Sequence, residues 1–134
     1  SAIGSLRAVN SAESTYSSSC GGNGYAQTLV DLYTAPAGST AGFISPDLAA
    51  NGTLKSGYIV NLAGDTGAVN ILAAGAACNA NTAATVSAYF AEDHPQTVGS
   101  TGQRSFATDT RGTIYFLNTG AAIAAGMAGA SVLQ

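Results

Sequence analysis

The chain has 134 residues, seven acidic and four basic side chains, and a net charge of −3. Its charged fraction is 8%, against roughly 25% in an average protein. Arg7, Lys55, Arg104 and Arg111 stand apart in the sequence, and phosphate recognition needs several converging cations, so nucleic acid and a polybasic membrane patch are excluded as partners.

The length suits a single domain spanning residues 1–134, able to hide roughly two-thirds of its unfolded surface without help from a cofactor. With so few charges, the surface must be built from Ser, Thr, Asn, Gly and Ala. Such a surface accepts close protein neighbours and fits an exported or assembled protein better than a cytosolic enzyme.

The first predicted element is a helix. Ala2, Leu6, Val9 and Tyr16 lie near one face, with Ala12 and Glu13 between them, which predicts an amphipathic helix from Ile3 to Tyr16. The run from Ser17 to Gly22 ends it, with Gly21 or Gly22 as a left-handed cap. Thr28 to Tyr33 reads as one or two further helical turns. Pro36, Gly38 and Gly42 mark a loop, Ser45 to Leu48 a short turn, and Asn51-Gly52 a tight turn.

Gly57–Ala63 is the first clear strand, rich in β-formers, and Gly64 to Gly67 turns it. Ala68 to Asn81 is open between a hairpin extension through Val69, Ile71 and Leu72 and a coil or helical turn built on its alanines. Thr85–Glu92, closed by Pro95, is the second strand, Gln103–Thr108 the third and Thr113–Leu117 the fourth, with Asp109 to Gly112 turning between the last two. Links this short require antiparallel pairing. A helix followed by an antiparallel meander of about four strands is an α+β arrangement. The helix face with Leu6, Val9, Ala12 and Tyr16 is expected to pack under this sheet, and Ile3 to protrude past it. Residues 120–134 are Ala/Gly-rich and apolar without a period, and are expected to be ordered only by contact with something else.

Cys20 and Cys78 have no second ligand at metal spacing, and no Cys-x-x-Cys occurs. They are two buried free thiols or one disulfide. The disulfide is the preferred reading and implies export to an oxidising compartment. No stretch is long and apolar enough to span a bilayer and no secretory signal is present, so residue 1 is not expected to be the natural translation start.

No catalytic constellation, metal site or cofactor loop is expected. His94 follows Glu92 and Asp93, but on a strand residues 93 and 94 face opposite ways, and the group reads as a solvated strand end before Pro95. No Gly-x-Ser-x-Gly occurs, and Gly22-Asn23-Gly24 lacks the third glycine and preceding strand of a dinucleotide loop. Asp109 to Gly112 reads as an Asp capping its own turn rather than as a calcium loop. Asn51-Gly52-Thr53 matches a glycosylation sequon formally and carries no weight.

The stretch LRAVNSAESTYSSSCGGNGYAQTLVDL resembles the part of a type IV pilin-like protein, or pseudopilin, just beyond its membrane-embedded half-helix. FISPDLAANGTLKSGYIVNLAGD is similar to that group's link into a Gly-Tyr first strand, and YFAEDHPQTVGSTGQRSFATDTRGTIYF to its closing strands. The likeness spans roughly residues 3 to 117, and its specificity lies in the order and spacing of these motifs. It implies a structural, non-enzymatic subunit of a type IV pilus or type II secretion pseudopilus, polymerising through its N-terminal helix.

The implied partners are further copies and other pilin-like subunits, together with the bacterial inner membrane through an apolar segment and prepilin leader that the chain lacks. The implied location is the inner membrane and periplasm before assembly and the filament after it. In that reading Ile3 faces the assembly. Two features depart from the family's subtypes: Cys78 lies mid-chain rather than near the C-terminus, and no carboxylate cluster matches the calcium loop of major pseudopilins. The alternative is a surface binding module, an adhesin or carbohydrate-recognition domain, with Tyr25, Tyr33, Tyr58, Tyr89 and Tyr115 as a stacking surface. A third reading, a secreted hydrolase, requires a concave site gathering His94 with Ser and Asp.

Overall fold

A computed structural model describes residues 1–133. Helix α1 runs from Ala2 to Ser19, longer than the periodicity predicts. At its start the Ser1 hydroxyl accepts from Gly4 N (3.0 Å). At its end the Ser18 and Ser19 hydroxyls bond back to the carbonyls of Ser14 and Thr15, which lets a serine run stay helical. Gly22 and Asn23, both with positive φ, then turn the chain away. Helix α2 (Leu29–Tyr33) is capped by Thr28, whose hydroxyl accepts from Asp31 N.

Six strands follow: β1 (Thr53–Lys55), β2 (Tyr58–Gly64), β3 (Tyr89–Pro95), β4 (Ser105–Asp109), β5 (Tyr115–Leu117) and β6 (Ser131–Val132). They form one antiparallel sheet in the order β1-β2-β3-β4-β5-β6. The architecture is α+β, with six strands where the sequence predicts four. The two additions are short edge strands. The hairpin joining β1 to β2 turns on Ser56 and Gly57, both with positive φ, the backbone that suits a two-residue hairpin loop.

The strand predicted from Thr85 begins at Tyr89 instead. Thr85, Val86 and Ser87 are drawn off by other partners: Val86 exchanges backbone hydrogen bonds with Tyr25, and Thr85 and Ser87 bond Leu72, Ile71 and Val69. The strand also runs on to Pro95 rather than stopping before it. By the alternation along β3 the ring nitrogen of Pro95 points toward β4, which pairs only with Phe90–Asp93, so no ladder bond is lost there.

Strand alternation divides the core in two. On one face Val60, Leu62, Tyr89, Ala91 and Phe106 join Leu6, Val9, Ala12 and Tyr16 of α1. Ile3 is partly buried at the margin of that cluster. The other face carries Phe90 and Ala107, covered by Ile123 and Met127 of the C-terminal segment. That segment therefore has its contact within the chain itself. It crosses the outer face, pairs with β5 as β6, and bonds through Leu133 N to Ile114 O.

Cys20 and Cys78 form a disulfide with Cα atoms 4.8 Å apart. It ties the end of α1 to the Ala-rich loop that leads to β3. The first part of that loop, Val69 to Leu72, pairs antiparallel with Thr85 to Ser87, and its alanines form turns rather than a helix; buried Asn side chains organise those turns. Asn79 donates to the carbonyls of Asp31 (2.6 Å) and Thr34 (3.0 Å) and accepts from the Tyr16 hydroxyl (3.2 Å). Asn81 bonds Ala73, Ala77 and Ala83.

Candidate functional site

The feature with functional reach is α1, because its two sides differ in kind. Its inner side is buried as described. Its outer side exposes Gly4, Arg7, Ser11, Ser14, Thr15, Ser18 and Ser19, with one charge among them. These small residues leave the helix backbone within reach of another element, the property that lets helices pack closely. The signal for this side is the polar half of the period that marks the buried half.

Grooves flank the exposed side. One runs between Ala8, Ser11, Ala12 and Thr15 and the wall formed by Gly42 to Ser45. The wall is fixed because Phe43 packs edge-on against Tyr16 (5.1 Å between centroids) and Phe43 N bonds Leu32 O. The other groove lies between Arg7, Asn10 and Ser11 and the segment Gly112–Ile114, with Leu133 at its rim. Asn10 sets that spacing: its amide donates to Thr108 Oγ1 (3.1 Å) and Gly112 O (3.4 Å), and its carbonyl accepts from the Tyr89 hydroxyl (2.7 Å). Nothing in the local sequence marks Asn10 as an anchor, since its partners lie 79 to 102 residues away.

The acidic residues are placed differently from the sequence expectation. Glu92 and Asp93 are buried rather than solvated, because adjacent strand residues face opposite sides of a sheet covered on both. On the outer face Glu92 accepts from Asn61 Nδ2 (2.7 Å) and meets His94 Nδ1 (2.8 Å). Ser105, also buried, donates instead to Ala121 O (2.5 Å), so no hydrogen bond links it to His94.

On the helix side Asp93 has no hydrogen-bond partner for either carboxylate oxygen among the described residues. Burial, with the neighbouring Glu92 charge adding to it, pushes its carboxyl up to about 8. Glu13 of α1 is fully buried as well, accepting from Ala26 N (2.8 Å) through one oxygen. Burial raises its carboxyl well above the ordinary range, and the Ala26 bond opposes that only in part. Asp31 is the satisfied member of this set, accepting from Thr82 N, Thr82 Oγ1 and Ala83 N. Asp109 accepts from Arg111 N (3.0 Å), two residues on, and from the Arg111 guanidinium. Burial acts upward on its carboxyl and the Arg111 bonds and charge outweigh it, so the carboxyl sits below its usual range.

The tyrosines are dispersed. Tyr25 and Tyr89 pack together (5.0 Å), Tyr58 lies against Phe106, Tyr115 lies under Arg111, and Tyr33 is exposed on α2. Among the described residues no three His, Cys, Asp or Glu side chains gather to hold a metal, and no helix is long and apolar enough to cross a membrane. No family model, curated protein or solved structure matches the chain.

Proposed function

We propose that this chain is the globular headpiece of a pilin-like subunit that assembles through its N-terminal helix into a type IV pilus or type II secretion pseudopilus. The observation that carries the reading is the two-sidedness of α1. One side is seated on an antiparallel sheet, while the other keeps a run of small polar residues from Gly4 to Ser19 open between two grooves. Every surface helix has a polar outer side; what bears on assembly here is how small and nearly uncharged this one is. An outer side that is uncharged but for Arg7 suits repeated contact with like neighbours, where a charged surface would repel copies of itself.

The disulfide supports the same reading, since it fits an oxidising compartment. In this account the partners are further copies and other pilin-like subunits, and the inner membrane holds the subunit through an apolar segment preceding Ser1. The subunit is structural rather than catalytic. It resides in the bacterial inner membrane and periplasm before assembly and in the filament after it.

The test is cross-linking in the full-length subunit in its native cell. Cysteines placed singly at Ser11, Ser14 and Ser18 are expected to give ladders of subunit multiples on mild oxidation, while a cysteine at Val69, exposed and away from the outer side of α1, gives monomer. Monomer from all three helix positions in cells that produce the protein contradicts the proposal.

A further inference from the structure

The layer between α1 and the sheet holds a carboxyl with nothing to bond. Asp93 pairs across the backbone with Val60 on β2 and Phe106 on β4. Both are buried in the cluster that includes Ala2 and Leu6. Asn10 of α1 meets Tyr89 and Thr108. Asp93 stands four residues beyond Tyr89 along β3, toward Ser1 at the start of the helix.

The groups facing Asp93 are few. Tyr58 on β2 feels its charge. Arg104, just before β4, has its guanidinium over the rings of Phe106 (5.3 Å) and Phe116 (5.2 Å), and makes no ion pair with Asp93. Glu92, its neighbour on β3, is tied to Asn61 and His94 on the opposite face. A buried carboxylate without donors is costly in any form but the neutral one.

We propose that the seating of the N-terminal half of α1 is proton-linked: the helix closes over Asp93 only while that carboxyl is neutral, and its first turns lift when Asp93 ionises. The C-terminal half stays down because the Cys20–Cys78 disulfide holds its end covalently. Glu13, the second buried acid of the layer, has the Ala26 N–H on one oxygen and, among the described residues, no partner on the other; the groups around it are Tyr16 on α1, Tyr89 on β3 and, through Tyr16, Asp31 on α2. The elevated carboxyl of Asp93 agrees with the geometry and places the change near neutral to mildly alkaline pH. The inference is independent of whether α1 also serves assembly.

The experiment is amide hydrogen exchange of α1 from pH 5 to 9.5, corrected for intrinsic rates, with the Asp93 side-chain carboxyl carbon followed by NMR in the same samples. For a one-proton opening, the open population at residues 5 to 10 is expected to rise about tenfold per pH unit up to the Asp93 titration and then level off. Asp93→Asn is expected to flatten that dependence, and Glu13→Gln to leave it in place. Protection in the unaltered protein that does not change with pH, or an Asp93 carboxyl that titrates near 4, overturns the proposal without recourse to either variant.

Discussion

At the scale of single residues, the buried face of α1 sets stability while its margin contributes little. Leu6 and Val9 are fully buried, whereas Ile3 is partly exposed. Leu6→Ala is expected to cost about 2–4 kcal/mol, lost transfer energy plus the cavity left behind. Ile3→Ala is expected to cost less than about 1 kcal/mol. Urea midpoints of the two variants against the parent check the contrast. Comparable losses would mean that Ile3 is a full member of the core.

Asp93 adds a pH dependence of definite sign. Its folded carboxyl, at about 8, lies above the ordinary 3.8, so between those values the folded chain holds a proton that the unfolded chain has released. This contribution to stability is complete below pH 4, declines as pH rises, and is lost once pH passes about 8, by at most about 1.4 kcal/mol per pH unit for one group. Glu13, raised by burial, acts in the same direction. Urea midpoints at pH 5, 7 and 9 are expected to fall in that order, and to fall less in Asp93→Asn.

At the scale of elements, the disulfide and the C-terminal segment are staples of different kinds. The disulfide joins positions 58 residues apart. In the chain-entropy view, opening it costs about 4 kcal/mol, less where the unfolded chain keeps structure. The Cys20→Ala, Cys78→Ala double variant is expected to melt well below the parent and no lower than the reduced parent; melting curves with and without reductant read this directly. The C-terminal segment covers Phe90 and Ala107 through Ile123 and Met127, so Ile123→Ser is expected to cost about 2 kcal/mol or more and to raise the binding of a hydrophobic dye.

The sequence makes some of these elements plain and hides others for identifiable reasons. The helix and the middle strands are legible because Leu6, Val9 and Tyr16 keep a 3.6 period and Tyr58 to Leu62 and Tyr115 to Leu117 are β-formers. Strand β6 is two residues long, below any periodic signal, and β1 is visible only through the Ser56-Gly57 turn. Cys20 and Cys78 are readable as a bond by chemistry. The burial of Asp93 was within reach in principle: two acids adjacent on a strand covered on both faces cannot both reach water. Asp93 lies under α1, and what hides the burial of its neighbour Glu92 is the second cover, supplied by an Ala/Gly-rich segment with no period of its own. The polar contacts of Asn10, Asn79 and Asn81 are long-range and leave no local trace.

At the scale of the whole molecule, the sheet is covered twice, by α1 on one face and by the chain's own C-terminal segment on the other, with the outer side of α1 left open. That arrangement leaves the outer side of α1 open to the proposed assembly, in a protein whose 8% charged fraction gives neighbouring copies little to repel. The central claim is that α1 continues into an apolar assembly helix. The most direct measurement is the N-terminal sequence of the mature protein isolated from its native cells. The account predicts an unbroken apolar helical segment immediately before Ser1, following a short charged leader removed by processing. A mature chain that begins at or near Ser1 after a conventional cleaved signal peptide would contradict it.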